Sequence, residues 1–454
     1  MESEKVFPSS RWTSYDDWDW DGMKKRLQDF MGTIDKKAFI TCANKMFQKN
    51  FAISEPFSAG EHWVCFELVA DEDSSVVIAR ARLPRHPDTP STVTLDDEEY
   101  AMDCEAATMK FLRLRLPNIR CPSIYAYAAP RSELAVQAGC AFMLIEGIYG
   151  NTLQDVQFDI CQLPFSQQER IFSQWTAIQA ELATVTFPQI GSICHVSETG
   201  EATLGRLSSA PFEGLPQVGP FADAVSYFRA VAEGRLCSLC EANDRDDDSS
   251  DTADDNRWSK LGTLVFLDIV QSTDIYNDVG SSGPFHFNHM DLGTQNILVD
   301  ESFNFLAIID WELAHSAPWE VNTYPMPFPL TFSPAKEESI LADTGHVAYE
   351  NVFRQATARK AYRQGFLDNE RRLRLTGREL RKSIAETLDS PSAKIFGCFE
   401  KLGFFPGHAE ALTREIIRLA FNYTGPAQEQ YLMKVSSKPN RIFDQKMGPF
   451  PYPN

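Results

Sequence analysis

The segment HFNHMDLGTQNILVDESFNFLAIIDWE, residues 286–312, places polar residues around two short apolar runs. The runs NILV (296–299) and FLAIID (305–310) have the length and composition of strands. The residues between them, DESFN, supply the Asp, Ser and Asn side chains that favour a short turn. The segment is therefore predicted to form an antiparallel β-hairpin.

The pairing of the two strands predicts which polar residues meet. Pairing Val299 with Phe305 sets the register. In that register Asn296 faces Ile308. Asp310 then lies at the same end of the hairpin as Asn296. The chain also enters the hairpin at this end.

Asp291 lies in the loop that enters this end of the hairpin, before Asn296. Two carboxylates and an amide oxygen are hard ligands, which suit Mg²⁺ better than zinc or copper. Mg²⁺ binds few protein ligands and completes its shell with water and substrate phosphates. The pattern therefore predicts a magnesium site that handles a nucleotide, with a nearby carboxylate available to an acceptor hydroxyl.

Two motifs in the segment resemble those of a known family. His289–Asn296, HMDLGTQN, fits the H-x-D-x-x-x-x-N catalytic loop of kinases, and Ile309–Glu312, IDWE, stands where protein kinases carry D-F-G. The combination resembles the aminoglycoside phosphotransferase and choline kinase superfamily, particularly its fungal branch. This resemblance implies an α+β, two-lobed, protein-kinase-like fold, with a small β-rich N-lobe and a larger, mainly helical C-lobe.

The resemblance extends over residues 51–320, in the same order as in the family. VVIARARLP resembles the strand that carries the phosphate-contacting basic residue, and Glu105 matches the helix glutamate that pairs with it. CPSIYAYA and ATVTFPQIGSI resemble segments that follow the helix and precede the catalytic loop. AFMLIEGIYGNTL looks like the hinge whose backbone receives adenine, which implies nucleotide contacts at Ile145 and Gly147.

The resemblance implies a role for each residue of the catalytic segment. Asp291 would orient or deprotonate the acceptor hydroxyl, while Asn296 and Asp310 would hold Mg²⁺ against the phosphates of ATP. His289 is assigned to the catalytic loop, as a structural residue rather than a proton carrier. Glu312 either supports Asp310 or faces the acceptor, and the sequence does not decide between these two roles.

The basic residue of the nucleotide strand departs from the bacterial relatives, because Arg80 stands where they carry Lys. Arginine binds phosphate bidentately and stays charged, but it is longer and planar. Arg82 is the competing candidate, since residues two apart share a strand face. Glu105 is the expected ion-pair partner of Arg80, with an exposed helix glutamate as the alternative. Gly60 either lets a loop approach the phosphates or serves a simple turn.

The pattern along the 454 residues predicts three regions. Residues 1–50 form an N-terminal extension, whose Trp12, Trp18 and Trp20 are expected to dock it onto the fold. Residues 51–150 form the N-lobe and end at the hinge, and residues 151–454 form the C-lobe. Within the C-lobe, the acidic run 241–257 reads as a disordered insertion.

Periodicity predicts the elements of the N-lobe and the first helix of the C-lobe. Two apolar runs around the turn DEDSS (71–75) predict an antiparallel hairpin. DDEEYAMDCEAATMKFLRLRL (96–116) and SQQERIFSQWTAIQAELATV (166–185) have the apolar spacing of helices. CAFMLIEGIYG (140–150) reads as a buried strand that leads into a turn.

Composition excludes several classes of protein. A net charge of −20 disfavours nucleic acid as a partner. There is no apolar run of membrane-spanning length and no signal-peptide pattern at the N-terminus, so a cytoplasmic location without membrane contact is expected. The ten cysteines are scattered, and the pair Cys237 and Cys240 has CxxC spacing without a second pair. Most cysteines are therefore expected to be buried thiols.

The sequence is consistent with three functions. The first is an ATP- and Mg²⁺-dependent kinase that phosphorylates a hydroxyl of a small molecule. The second is a catalytically silent binding or scaffold protein that keeps the fold, as the Arg at position 80 and the single glycine at position 60 suggest. A protein kinase is the third, disfavoured because no A-P-E segment follows Asp310. Aminoglycosides, choline-like amines and secondary-metabolite alcohols all remain candidate acceptors, and the oligomeric state is left open.

Overall fold

A computed structural model describes residues 22–87, 89–242, 250–277, 283–404 and 407–438. Within this part of the chain the residues form two compact units. The first unit contains the described residues up to Phe158 together with Ile193–Thr203 and Asp291–Ala314. The second contains Asp159–Ser192, Leu204–Met290 and the described residues from His315 onward. The predicted domain limits at residues 50 and 150 stay predictions, and the predicted docking of Trp12, Trp18 and Trp20 lies outside the described residues.

The N-terminal third of the chain alternates helices with strands. Up to Val156 the elements are α1 (Met23–Met31), α2 (Lys36–Phe47), β1 (Phe51–Ile53), β2 (Ser58–Ala59), β3 (Trp63–Ala70), β4 (Val76–Arg82), α3 (Leu95–Arg115), β5 (Ile124–Ala128), α4 (Glu133–Ala138), β6 (Phe142–Glu146), β7 (Asn151–Thr152) and α5 (Leu153–Val156). The predicted hairpin around residues 71–75, the helix over 96–116 and the strand within 140–150 are therefore present as β3 and β4, α3 and β6.

Helices dominate the rest of the chain. The elements are α6 (Phe165–Ala183), β8 (Thr186–Phe187), β9 (Ile193–Val196), β10 (Ala202–Leu204), α7 (Ala224–Ala242), α8 (Ser250–Ser272), β11 (Phe285–Asn288), β12 (Ile297–Val299), β13 (Phe305–Ile308), β14 (His315–Ala317), α9 (Pro334–Leu341), α10 (Tyr349–Leu375), α11 (Ile384–Thr387), α12 (Pro391–Glu400), α13 (Ala409–Phe421) and α14 (Pro426–Ser436). Single turns of 3₁₀-helix cover Ile160–Gln162, Thr294–Asn296 and Trp319–Val321. A β-sheet region followed by a mainly helical region confirms the predicted α+β class.

One antiparallel sheet organises the first unit, with the strand order β1-β3-β4-β6-β5 and with β2 paired to β3. Side chains alternate along β4, as the pleat of a strand requires. Val77, Ala79 and Ala81 face a core that includes Phe39 of α2 and Phe142 of β6. The opposite face of the sheet therefore carries the two arginines of β4.

Helix α3 covers this opposite face. Thr94 caps its N-terminus and forms a reciprocal capping box with Asp97, which satisfies backbone donors that the helix leaves free. Met102 of α3 packs with Ile78 and Ile145 of the sheet in a second, smaller core. The same buried face of α3 contains Glu105, so the helix places a carboxylate beneath the sheet.

The hairpin predicted within residues 286–312 forms, but its register differs from the prediction. Val299 pairs with Phe305 as expected, whereas Ile297 pairs with Ile308 because the register shifts between Leu298 and Val299. A β-bulge of this kind sets two residues of one strand against one of the other, and the predicted pairing of Asn296 with Ile308 is wrong by one residue. Asn296 instead ends the 3₁₀ turn, and its carbonyl accepts a hydrogen bond from the Ile309 amide at 3.0 Å. Asn296 and Asp310 still lie at the same end of the hairpin.

The described residues of the acidic segment 241–257 are helical, and the disordered insertion predicted for this segment stays a prediction. Residues 241–242 end α7 and residues 250–257 begin α8, while residues 243–249 lie outside the described part. Asp255 accepts hydrogen bonds from the backbone amides of Gly407 and Ala409. These contacts link the start of α8 to the start of α13 within the second unit, and the charge pattern alone does not predict them.

The second unit has its own apolar core. Phe228 of α7, Phe266 of α8 and Phe396 of α12 are among its largest buried side chains. Cys240 belongs to the same core, and the ten cysteines are free thiols, none of them highly exposed. Across the described helices, none combines the length and the apolar character needed to cross a membrane.

Candidate active site

Arg80 and Arg82 lie on the face of the sheet that α3 covers. In the register of β3 and β4, Arg82 pairs with Trp63 and Arg80 with Cys65. Because residues two apart on a strand share a face, both guanidinium groups project to the same side as the Trp63 ring. Their carbons lie 4.6 Å (Arg80) and 5.1 Å (Arg82) from the centre of that ring, within the range of cation–π contacts.

Arg80 bridges two carboxylates within the first unit. Its Nη1 donates to Oε1 of Glu105 at 2.5 Å, and its Nη2 donates to Oδ1 of Asp310 at 3.0 Å. The rigid fork of a guanidinium allows this double contact, whereas an ammonium is a single point charge. The structure therefore brings together three residues that the sequence assigns to the nucleotide and the metal.

Glu105 is the most enclosed member of this group, with only 1% of its surface exposed. The pKa of Glu105 is raised to about 7: burial raises it most, Arg80 opposes this shift, and the carboxylates of Asp310 and Glu312 add to it. Its Oε2 is buried without a hydrogen-bond partner among the described residues. The alternative that Glu105 is an exposed helix glutamate is therefore wrong.

Arg82 has a partner of its own. Its Nη1 donates to Oε2 of Glu312 at 3.2 Å, and the Trp63 Nε1–H donates to the same oxygen at 3.3 Å. The side chains of Arg82 and Glu312 are 11% and 17% exposed, so this pair is also mostly shielded from water. Each arginine of β4 is thus paired with one acidic residue of the IDWE motif.

The IDWE motif follows β13 with an unusual backbone. Asp310 has a φ of 64°, in the left-handed region that costs a residue with a Cβ roughly 1–2 kcal/mol. Trp311 is 1% exposed, and its indole Nε1–H donates to the Ile308 carbonyl at 3.0 Å. The buried indole and the two ion pairs hold this short segment in its strained shape.

Asp291 is held by the loop that follows it. The Asn296 Nδ2 group donates to the Asp291 backbone carbonyl at 2.8 Å and to its Oδ2 at 2.9 Å. Gln295 Nε2 donates to Oδ1 of the same carboxylate at 3.1 Å. The pKa of Asp291 is raised to about 6, because burial and the negative charge of Asp310 raise it more than the amide donors of Gln295 and Asn296 lower it. The amide side chains fix the orientation of the carboxylate.

A cavity of about 370 Å³ in the first unit is lined by Arg80, Asn296 and Asp310. Its volume lies within the range of small-molecule sites. Apolar side chains of three strands also line it, namely Ile78, Ile145 and Leu298. Basic, acidic, amide and apolar groups therefore meet at one cavity, whose described lining does not include Asp291.

The two predicted hinge residues differ in position. Ile145 lines the cavity, whereas Gly147 is not among its described lining. The Gly147 amide donates to the Val76 carbonyl at 3.2 Å, and a Cβ at this glycine would lie 2.4 Å from Cγ1 of Val76. Gly147 thus extends the pairing of β6 with β4, where a side chain does not fit. The predicted nucleotide contact at Gly147 stays a prediction, as does that at Ile145.

His289 belongs to the second unit, where it is fully buried. The residues before it form a neutral polar network. His286 lies within hydrogen-bond distance of the Ala317 carbonyl at 3.0 Å and of the Asn322 amide at 3.1 Å. Asn288 Oδ1 accepts from the Met290 amide at 3.1 Å. The burial of His289 suits the structural role assigned to it, which stays a prediction.

Sequence reading missed two groups that the structure places at the site. Trp63 contacts both arginines, and its pairing with Arg82 across β3 and β4 follows from the hairpin register, which the sequence could have supplied. Gln295 is part of the catalytic loop, but it falls on a variable position of the motif. Gly60 also lines the cavity, with open space where a side chain would be.

Residues 92–321, just over half of the chain, match the family model described as "Phosphotransferase enzyme family". The chain belongs to this phosphotransferase family. The predicted superfamily and the prediction of a small-molecule kinase with a hydroxyl acceptor are therefore confirmed, while the fungal branch stays a prediction. No curated protein sequence matches the chain significantly.

Solved structures similar to this phosphotransferase include three kinases. The choline kinase of Cryptosporidium parvum is 12% identical, with 91% of this chain and 98% of that one covered and a TM-score of 0.42. The fructosamine-3-kinase of Haemophilus somnus, described as putative, is 11% identical, with coverages of 89% and 98% and a TM-score of 0.41. The ethanolamine kinase of Plasmodium vivax is 11% identical, with coverages of 96% and 99% and a TM-score of 0.38. At TM-scores below 0.5, these similarities do not identify the acceptor.

Proposed function

We propose that this phosphotransferase moves the γ-phosphate of ATP, in the presence of Mg²⁺, to a hydroxyl group of a small molecule, and that Asp291 orients or deprotonates that hydroxyl. One observation carries the proposal. Arg80, Asn296 and Asp310 line one cavity of the first unit, and Asn296 is hydrogen-bonded to Asp291. Family membership supports phosphate transfer, and the cavity supports the choice of nucleotide and metal.

The residues of the cavity fit a nucleotide. Ile78, Ile145 and Leu298 offer apolar surface for a flat base, and Arg80 offers a permanent positive charge to phosphate. Burial alone would lower the pKa of Arg80, but Glu105 and Asp310 raise it above its ordinary value. The cationic form of Arg80 is thus secured by its neighbours.

The residues also fit a magnesium ion. Asn296 and Asp310 offer amide and carboxylate oxygens, the hard ligands that Mg²⁺ prefers. Among the described residues no group of three or more His, Cys, Asp or Glu side chains is arranged to hold a metal. A magnesium ion bound through one or two protein groups and substrate phosphates does not need such a group.

The chemistry divides among the named residues. Bound Mg²⁺ would neutralise charge on the phosphate oxygens during transfer. Asp291 accepts the proton of the acceptor hydroxyl, or orients that hydroxyl, while Gln295 and Asn296 keep its carboxylate in place. Glu105 holds Arg80, and Arg80 in turn holds Asp310. The proposal also includes a pocket for the acceptor and a cytoplasmic location. The ten free thiols are in keeping with that location.

A phosphate-transfer screen tests the proposal. Purified protein is incubated with ATP, Mg²⁺ and hydroxylated metabolites that include aminoglycosides, choline-like amines and alcohols, and products are detected by the mass of one added phosphoryl group. For any acceptor found, Asp291→Asn is expected to lower kcat by roughly 10²- to 10⁴-fold, because the group that takes the proton is removed.

The matched control is Asp29→Asn, the same change at an exposed position of α1. It is expected to leave the rate unchanged. An Asp291→Asn protein that turns over as fast as this control contradicts the role given to Asp291. If no metabolite gains a phosphoryl group and ATP does not bind, the proposed reaction is wrong and the silent binding protein is the better description.

A further inference from the structure

We infer that Trp63, Arg82 and Glu312, here called the Trp63 clamp, position Asp310 for magnesium without contacting the ion themselves. The inference rests on the proposed function and assigns a new role to three residues around it. Glu312 thus supports Asp310, which is one of the two roles that the sequence left open for it.

The clamp is a closed set of contacts. Glu312 Oε2 accepts from Arg82 Nη1 at 3.2 Å and from Trp63 Nε1 at 3.3 Å. The Arg82 guanidinium carbon also lies 5.1 Å from the centre of the Trp63 ring. Each of the three side chains therefore contacts the other two. Trp63 and Arg82 are already fixed as partners across two paired strands, so Glu312 is held by a rigid surface.

The position of Glu312 in the chain connects the clamp to Asp310. Only Trp311 separates the two acidic residues, and its buried side chain occupies a different environment. Asp310 has a left-handed backbone, which persists only when the surrounding structure holds it. On one side Asp310 is held by β13, and on the other by Trp311 and Glu312. Loss of the Glu312 contact frees the C-terminal side of this strained residue.

Trp63 provides a second connection. Its ring lies against Arg80 as well as Arg82, with 4.6 Å between the Arg80 guanidinium carbon and the ring centre. Arg80 donates to Asp310 Oδ1. The clamp therefore fixes both the backbone that carries Asp310 and the arginine that its carboxylate contacts. A carboxylate presented in one orientation binds Mg²⁺ more tightly than one that must first be ordered.

Calorimetric titration of ADP tests this inference, because it measures binding without any acceptor or turnover. Affinity is measured with Mg²⁺ and again with EDTA. The dissociation constant in EDTA divided by that in Mg²⁺ gives the contribution of the metal. Glu312→Gln is expected to lower this ratio by about tenfold, which removes most of the magnesium effect, because loss of a residue that supports a metal ligand weakens metal binding. Glu312 also lines the cavity, so the metal-free affinity is measured as a separate reading, and it is expected to change much less than the ratio.

The double variant Arg82→Met/Glu312→Gln is expected to match Glu312→Gln alone, because the two residues act as one unit. The matched control is Glu98→Gln, which breaks the Arg85–Glu98 ion pair in the same unit and is expected to keep the wild-type ratio. If Glu312→Gln does not fold, Arg82→Met provides the second reading, since it removes the charged donor to Glu312 and Arg82 is not among the described lining of the cavity.

The outcomes separate the inference from the proposed function. A wild-type protein whose ADP affinity is unaffected by Mg²⁺ overturns the proposed magnesium site and the clamp with it. A wild-type protein with a clear magnesium effect that Glu312→Gln retains in full overturns the clamp alone. An equal loss of affinity with and without Mg²⁺ also overturns it, because that pattern indicates damage to the whole cavity.

Discussion

Two arginines stand two residues apart on the same face of β4, and the protein uses them differently. Arg80 donates to Glu105 of the helix and to Asp310 of the hairpin. Arg82 donates to Glu312 of the hairpin. Arg80 lines the cavity, whereas Arg82 is not among its described lining. Two arginines on one strand face therefore have different roles: Arg80 bridges two carboxylates, and Arg82 binds one.

The burial of the two ion pairs explains why we expect them to contribute differently to stability. Glu105 is almost completely buried, and its second oxygen has no partner among the described residues, whereas Glu312 is 17% exposed and accepts from two donors. A buried carboxylate that loses its cation cannot recover the energy by contact with water. Arg80 therefore has a larger effect on stability than Arg82.

The largest expected change in stability follows from replacing Arg80 and Arg82, one at a time, with methionine. Arg80→Met leaves Glu105 and Asp310 close together without a cation and is expected to lower the free energy of unfolding by about 3–5 kcal/mol. Arg82→Met leaves one carboxylate with the Trp63 donor and is expected to cost about 1.5–3 kcal/mol. Both values are measured by urea denaturation.

The control for this pair is Arg113→Met, which removes an exposed arginine of α3 and is expected to change stability little. Equal losses in the free energy of unfolding for Arg80→Met and Arg82→Met would contradict the difference between the two arginines. That result would mean that bridging two carboxylates adds nothing to a single charge contact.

A smaller effect is expected from Arg80→Lys, which keeps the positive charge. A lysine ammonium is a point charge and does not reproduce the two-pronged contact to Glu105 and Asp310. Losing one of two charged hydrogen bonds is expected to cost about 1.5–3 kcal/mol, less than Arg80→Met. A lysine variant as stable as the wild type, in the same urea titration, would show that the fork of Arg80 is not required.

Much of the fold was predictable because it depends on local patterns. The period of apolar residues and the capping residues Thr94 and Asp97 mark α3, and the turn at residues 71–75 marks the hairpin of β3 and β4. The spacing of Asp291, Asn296 and Asp310 placed them at one end of a second hairpin. Local rules succeeded where the chain folds onto its near neighbours.

Contacts between distant residues were not predictable. Trp63 and Glu312 are separated by 249 positions, and no local pattern links an indole in β3 to an acidic residue after β13. The bulge beside Leu298 moved the hairpin register by one residue, since it depends on how the strands pack rather than on turn composition. No local pattern links Asp255 of the acidic run to the Gly407 amide, which lies 152 positions later.

Magnesium-dependent binding of ATP tests the central claim most directly. Calorimetry on the wild type and on Asp310→Asn, each with Mg²⁺ and with EDTA, isolates the part of the affinity that passes through the metal. We predict that Mg²⁺ tightens ATP binding to the wild type by about tenfold or more and that Asp310→Asn loses this gain. Failure of the wild type to bind ATP, or a full magnesium effect in Asp310→Asn, would contradict the account.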